Sequence, residues 1–293
     1  MVRGVSAGYR DRAVVRNIDL DVEGPGIFMV IGPNGSGKST LLRVIAGIVK
    51  PYSGEVIVNG VPIYRRSEVK RVVGYMPADI GLLPRLTLYD NLRVFAELLG
   101  YDKRYVDERL EVLRKYIQVD DILYMRCGAM STGQRIRAGL IRTLIHDPQI
   151  VILDEPTRGL DVAFARDVRS LIQGLARDRL VIMTTHLVYE VLDMGRDIAV
   201  LRSGELVFRG SIDEFRRVLA DKPVTLYVKT TTSVDEVLQS LDIEFVRRGY
   251  GDYIVRLPNI YTLSKLLREL SISTNIIEFR EDLDELVKTL YGG

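Results

Sequence analysis

The sequence predicts an α/β fold built on a mostly parallel sheet, and three observations predict it. Short apolar runs, Ile27-Phe28-Met29-Val30-Ile31 and Ile150-Val151-Ile152-Leu153, have the unbroken hydrophobicity of strands buried on both faces. Stretches of helical spacing lie between such runs: Val106, Leu110, Leu113 and Ile117 stand on one helix face. A glycine-rich turn over residues 32–37 joins an apolar run directly to a helical segment.

Taken in order, residues 13–22 alternate and read as antiparallel strands that lead into the buried strand 27–31. A helix is expected over Ser39–Ala46, stopped by Gly47 and then Pro51. Strands are expected at Glu55–Asn59 and Arg71–Tyr75, and residues 79–146 read as helical. After the strand at 150–153 come a helix 162–176, a strand Leu180–Thr184, a helix 187–194, a strand Ile198–Arg202 and a hairpin arm Glu205–Arg209. Composition shifts near Asp221-Lys222-Pro223. Beyond it, strand 224–229, helix 233–241, strands 243–248 and 252–257, helix 259–270 and strand 275–279 give the β-α-β-β-α-β pattern of a ferredoxin-like domain, followed by a helix 282–290. Two domains are therefore expected, over residues 1–218 and 223–293.

Of the 293 residues, 41 are basic and 39 acidic, a net charge of +2, and no basic block marks a nucleic-acid surface. A lone cysteine, Cys127, excludes an internal disulfide and reads as structural. The first residues carry no secretory hydrophobic region, and no apolar run approaches the ~20 residues of a spanning helix, so a soluble chain in a reducing compartment is expected.

Gly32-Pro33-Asn34-Gly35-Ser36-Gly37-Lys38-Ser39-Thr40 fits G-x-x-x-x-G-K-[ST] in the context that motif needs, after a buried strand and opening a helix. Glycine permits the backbone angles that turn successive N–H groups inward around a phosphate, and the helix N-terminus adds its dipole. Lys38 is placed to bridge β- and γ-phosphates, and Ser39 to ligate Mg²⁺. The strand 150–153 ends in Asp154-Glu155. Carboxylates at that end face the crevice where α/β sheets bind ligands. Asp154 is the second metal-holding candidate, and Glu155 the group that orients and deprotonates an attacking water.

Met130-Ser131-Thr132-Gly133-Gln134-Arg135, 20 residues before Asp154 when counted from Gln134, resembles the L-S-G-G-Q signature of ABC ATPases. Pro156-Thr157-Arg158-Gly159-Leu160-Asp161 is similar to that family's D-loop, and Thr184-Thr185-His186 to its switch histidine. The resemblance covers roughly residues 1–215. It implies a P-loop NTPase core with an antiparallel β subdomain and a helical subdomain at about 79–146. It also implies two ATP molecules with Mg²⁺ sandwiched between two head-to-tail copies. Ser131, Gly133 and Gln134 would reach the nucleotide of the other copy, His186 would contact the γ-phosphate, and Tyr9 would stack on adenine. His146 reads as structural.

Three positions depart from the family pattern. Ala78 stands where the Q-loop glutamine is expected, with Asp79 beside it; Thr132 replaces a signature glycine; and Val162 replaces a proline. The resemblance implies the ATP-hydrolysing subunit of an ABC transporter, working on a separate transmembrane permease at the cytoplasmic face of the membrane. The single cassette with its 70-residue tail resembles exporter ATPases. The alternatives are a soluble ABC ATPase acting on ribosomes or nucleic acid, and a non-catalytic nucleotide sensor.

Overall fold

A computed structural model describes residues 1–10, 12–65, 67–220, 223–259, 261–273 and 276–281. The chain opens with strands β1 (Val2–Tyr9), β2 (Arg12–Leu20) and β3 (Gly26–Ile31), helix α1 (Lys38–Ile45), and strands β4 (Ser53–Val58) and β5 (Val61–Pro62). An antiparallel sheet has the order β2-β1-β4-β5, and β3 leaves it for a second sheet. Strand β1 lies outside the strands that alternation predicts. Its register is bulged at several points and Gly4 sits at φ 54°, so its inward residues do not keep period two.

The chain continues through β6 (Val73–Met76), α2 (Leu88–Leu98), α3 (Lys103–Leu113), α4 (Thr132–Leu144), β7 (Ile150–Asp154), α5 (Val162–Leu175), β8 (Leu180–Thr184), α6 (Val188–Met194), β9 (Asp197–Arg202), β10 (Glu205–Ser211) and α7 (Ile212–Leu219). The second sheet has the order β10-β9-β3-β8-β7-β6, parallel except for β10. Its strands are apolar throughout because both faces are covered. Phe28, Val30 and Ile152 pack with Leu41 and Leu42 of α1, whereas Met29, Ile31 and Leu153 belong to the cluster on the opposite face. The strand expected from residue 71 begins at Val73, after a 3-10 turn over Ser67–Val72.

Helix starts follow local chemistry. Thr87, Asp102 and Asp161 accept the backbone N–H three residues on and cap α2, α3 and α5. Each such cap is worth about 1 kcal/mol over alanine. Ser131 with Gln134 and Ser211 with Glu214 form capping boxes at α4 and α7. Helix α7 was not expected from the apolar pattern, although Ser211-x-x-Glu214 carries its start signal; it buries Phe215 and Leu219.

The last described elements are β11 (Val224–Thr230), α8 (Asp235–Ser240), β12 (Glu244–Gly249), β13 (Asp252–Leu257), α9 (Tyr261–Ser273) and β14 (Ile276–Glu281). Their sheet has the order β12-β13-β11-β14, with every neighbouring pair antiparallel. Strand β13 therefore lies between the mutually parallel β11 and β12, the split βαβ arrangement of ferredoxin-like folds. The expected helix 282–290 falls outside the described residues.

His146 and Cys127 are both buried. His146 Nε2 lies 3.2 Å from the Val73 carbonyl, which can only accept, so the proton sits on Nε2. Its Nδ1 is buried without a hydrogen-bond partner among the described residues. Burial holds the His146 pKa below the ordinary 6.5. As pH falls below about 6.5 the unfolded chain takes up this proton before the folded one does. The stabilisation is therefore complete above that pH and is lost on acidification. The thermal midpoint should drop between about pH 7.5 and about pH 5.5, by less in a His146→Asn variant, with a difference of about 2–4 °C. Calorimetry at the two pH values checks it.

Candidate functional site

The turn between β3 and α1 is shaped by backbone geometry. Gly32, Gly35 and Gly37 have φ of 151°, 80° and 102°. A Cβ on Gly32 would lie 2.1 Å from the Leu201 carbonyl oxygen, so the turn closes directly onto β9. Gly32→Ala is expected to cost about 1–3 kcal/mol of stability or phosphate affinity, read by thermal melts with and without ATP. Gly37 offers no side-chain cap to α1, which leaves the helix N-terminus to an anionic ligand. Lys38 is buried, and its Nζ donates to the carbonyls of Gly32 (2.6 Å) and Pro33 (3.0 Å). Ser36 Oγ is buried with no hydrogen-bond partner among the described residues.

Strands β3, β8 and β7 are successive neighbours in the sheet, so their ends bring three segments together. Asp154 closes β7 and is 1% exposed. Its Oδ1 accepts from Thr184 Oγ1 at 2.7 Å; its Oδ2 is buried and has no hydrogen-bond partner among the described residues. Thr184 Oγ1 also accepts the Glu155 N–H at 2.9 Å. One hydroxyl at the end of β8 thus fixes both acidic residues. Glu155 holds a left-handed backbone angle, φ 51°, uncommon for a residue with a Cβ. Its Oε2 accepts from Arg158 Nη1 at 3.0 Å, with the glutamate side chain 11% exposed. His186 follows two residues after Thr184. Burial lowers its pKa, while Glu155 and Glu190 pull it upward and Arg158 and Lys38 push it down. The residues from Gly32 to Thr40, Asp154, Glu155 and His186 therefore share one end of the sheet.

Tyr9 stands at the end of β1 and is 43% exposed. Its hydroxyl accepts from Arg43 Nη1 of α1 at 2.9 Å. That hydrogen bond, with a further contribution from the nearby Tyr75, raises the Arg43 pKa. Burial raises the Tyr75 pKa, and its hydroxyl feels Asp154. Arg43 of α1 thus anchors Tyr9, a connection that no sequence spacing signals, while the Tyr75 hydroxyl is buried with no hydrogen-bond partner among the described residues.

Ser131, Gly133 and Gln134 are organised on a separate element, the N-terminus of α4. Gln134 N–H donates to Ser131 Oγ at 3.3 Å, and Ser131 N–H donates to Gln134 Oε1 at 3.0 Å. Ser131 and Thr132 are exposed. A Cβ on Gly133 would lie 3.1 Å from the Phe164 ring, in the first turn of α5. Ala78 and Asp79 are exposed, in a loop clamped by the buried Arg142 of α4. Arg142 donates to the Tyr75 carbonyl (3.0 Å) and the Gly81 carbonyl (2.7 Å), one on each side of Ala78. Burial lowers the Arg142 pKa, which makes those two acceptors necessary.

The buried, unpaired Asp154 Oδ2 and Ser36 Oγ, the uncapped start of α1 and the glycine turn together suit a nucleotide phosphate with a hard cation. Comparison with known proteins also points to a nucleotide. The ABC transporter family profile matches residues 15–158. The ABC transporter ATP-binding protein NatA of Bacillus subtilis is 34% identical over 202 residues, 68% of this chain and 82% of that protein. A molybdate/tungstate import ATP-binding protein, WtpC of Pyrococcus abyssi, is 29% identical, over 83% of this chain and 71% of that protein. A Nod factor export ATP-binding protein of Cupriavidus metallidurans is 33% identical, over 70% and 72%. A solved ATP-binding subunit of an ABC transporter superposes with a TM-score of 0.66 at 25% identity, covering 74% of this chain and 91% of that one. The chain belongs to the ATP-binding proteins of ABC transporters, and its chemistry is that of an ABC ATPase.

Proposed function

We propose that this chain is the ATP-hydrolysing subunit of an ABC transporter that energises a separate transmembrane permease, working in export at the cytoplasmic face of the membrane. The observation that carries the catalytic part is the Asp154–Thr184–Glu155 cluster beside the phosphate loop. Export rests on the organisation expected from the sequence, a cassette over residues 1–218 followed by a unit over 223–293, whose described strands have the ferredoxin-like order. No nucleic acid is assigned as a partner: the charge is nearly balanced, +2 in 293 residues.

In this reading the N–H groups of Gly35 to Thr40 wrap the phosphates and Lys38 leaves its loop carbonyls to meet the β- and γ-phosphates. Tyr9 stacks on the base; its exposed ring and anchored hydroxyl suit that role. Ser39 and Asp154 would hold Mg²⁺, which neutralises phosphate charge when bound. Glu155 accepts a proton from water as the water oxygen bonds to the γ-phosphorus; the bond from that phosphorus to the β-bridging oxygen breaks, and ADP and phosphate leave. Neutral His186 contacts the γ-phosphate. Ser131, Gly133 and Gln134, at an exposed helix N-terminus, complete the site of a second, head-to-tail copy.

The test is affinity purification of the tagged chain from detergent-solubilised native membranes, followed by an ATPase assay with and without Mg²⁺. Recovery of a multi-span membrane protein and Mg²⁺-dependent turnover are expected. Recovery with ribosomes or nucleic acid instead would overturn the transport assignment.

A further inference from the structure

Glu190 is fully buried, at the third position of α6, where a carboxylate needs a reason to be. The N-cap of α6 is Leu187, whose side chain cannot cap. The cap is relayed instead. Leu187 N–H donates to Thr185 Oγ1 at 3.0 Å, and Thr185 Oγ1 donates its own proton to Glu190 Oε2 at 2.6 Å. The first bond closes a hydroxyl turn, residue i to i+2, with His186 at its centre. The second is charge-assisted and aims the hydroxyl, which leaves its lone pairs to the backbone N–H. Glu190 Oε1 has no hydrogen-bond partner among the described residues but lies 3.6 Å from Arg169 Nη1 of α5, a side chain 13% exposed. Arg169 Nη1 also donates to the Tyr189 hydroxyl at 2.9 Å. Helix α5 is the one that follows the Glu155–Asp161 segment.

We infer that Glu190 is the positioning residue for His186: through Thr185 it fixes the turn that carries the imidazole, and through Arg169 it ties that turn to α5. This rests on the proposed contact of His186 with the γ-phosphate. The physical reason is geometric. An imidazole held by one backbone turn samples many orientations unless that turn is locked, and small misplacement of a positioned group is expensive in rate.

The chain has two histidines, so a His186→Ala variant assigns both ring signals by NMR. The nucleotide-free protein, with Glu190→Gln and with the isosteric Thr185→Val, is then compared with the parent. The charged groups facing His186 are Glu155, Glu190, Arg158 and Lys38; Thr185→Val removes none of these side chains, so it reads loss of the hydroxyl relay rather than deletion of a carboxylate. The expected result is a moved His186 signal beside an unmoved His146 signal in both variants. Turnover should fall about ten- to hundredfold with KM for ATP nearly unchanged. His186 signals at their parental positions in Thr185→Val, or parental turnover in both variants, would overturn the inference, and Thr185→Val carries the test if Glu190→Gln does not fold. Parental turnover in His186→Ala itself would instead remove the role of His186 on which the inference rests, a separate failure with its own signature.

Discussion

Glu155→Gln is expected to reduce steady-state ATP turnover by about a hundredfold to ten-thousandfold while ATP still binds. At 1.36 kcal/mol per tenfold, that is about 3–5 kcal/mol of barrier. The substitution keeps the shape of the side chain, and Arg158, 3.0 Å from Oε2, retains an oxygen to meet. The backbone at residue 155 is held by the Thr184 hydroxyl, which does not depend on the side chain. What is lost is the ability to accept a proton from water, so the defect falls on the chemical step and spares binding. If hydrolysis is what reopens paired copies, the variant should also accumulate as an ATP-bound dimer. Turnover assays, equilibrium ATP binding and gel filtration with MgATP check the three parts. Parental turnover would remove Glu155 from the proton-accepting role.

Lys38→Ala is expected to weaken ATP binding by about ten- to a hundredfold, from loss of one charge-assisted contact of about 1.5–3 kcal/mol. Lys38 is 6% exposed, and its ammonium is held over the turn by the Gly32 and Pro33 carbonyls. A nucleotide therefore meets a cation already placed and largely out of water, where its charge counts for more than at the surface. The alanine variant also frees two loop carbonyls, so thermal melting separates loosening of the turn from loss of the phosphate contact. Titration calorimetry with ATP is the decisive measurement, and parental affinity would refute the phosphate-loop reading.

Much of this was legible along the chain because it is local. A glycine turn needs its φ values whatever surrounds it, and Gly32, Gly35 and Gly37 supply them. Strands buried on both faces announce themselves as unbroken apolar runs. The β-α-β-β-α-β order of the tail came from alternating periodicities alone, and its strand order follows that pattern. Strand β1 was missed because its bulges break the alternation on which a strand is recognised.

The sequence by itself determined the class of the fold, the phosphate loop, the acidic strand end and the family, because each is carried by short local runs and motifs whose order along the chain can be read directly. Only the tertiary structure decided how those pieces meet. Thr184 serves Asp154 and Glu155 at once because β7 and β8 are neighbours, and Arg142 brackets the loop of Ala78 because α4 packs along β6. Glu190, buried four residues after His186, meets a cation at 3.6 Å because α5 brings Arg169 within reach. Such contacts join residues tens of positions apart, and a hydroxyl, a guanidinium or a carboxylate acquires its partner only when packing brings one within hydrogen-bonding reach and removes the water that would otherwise compete.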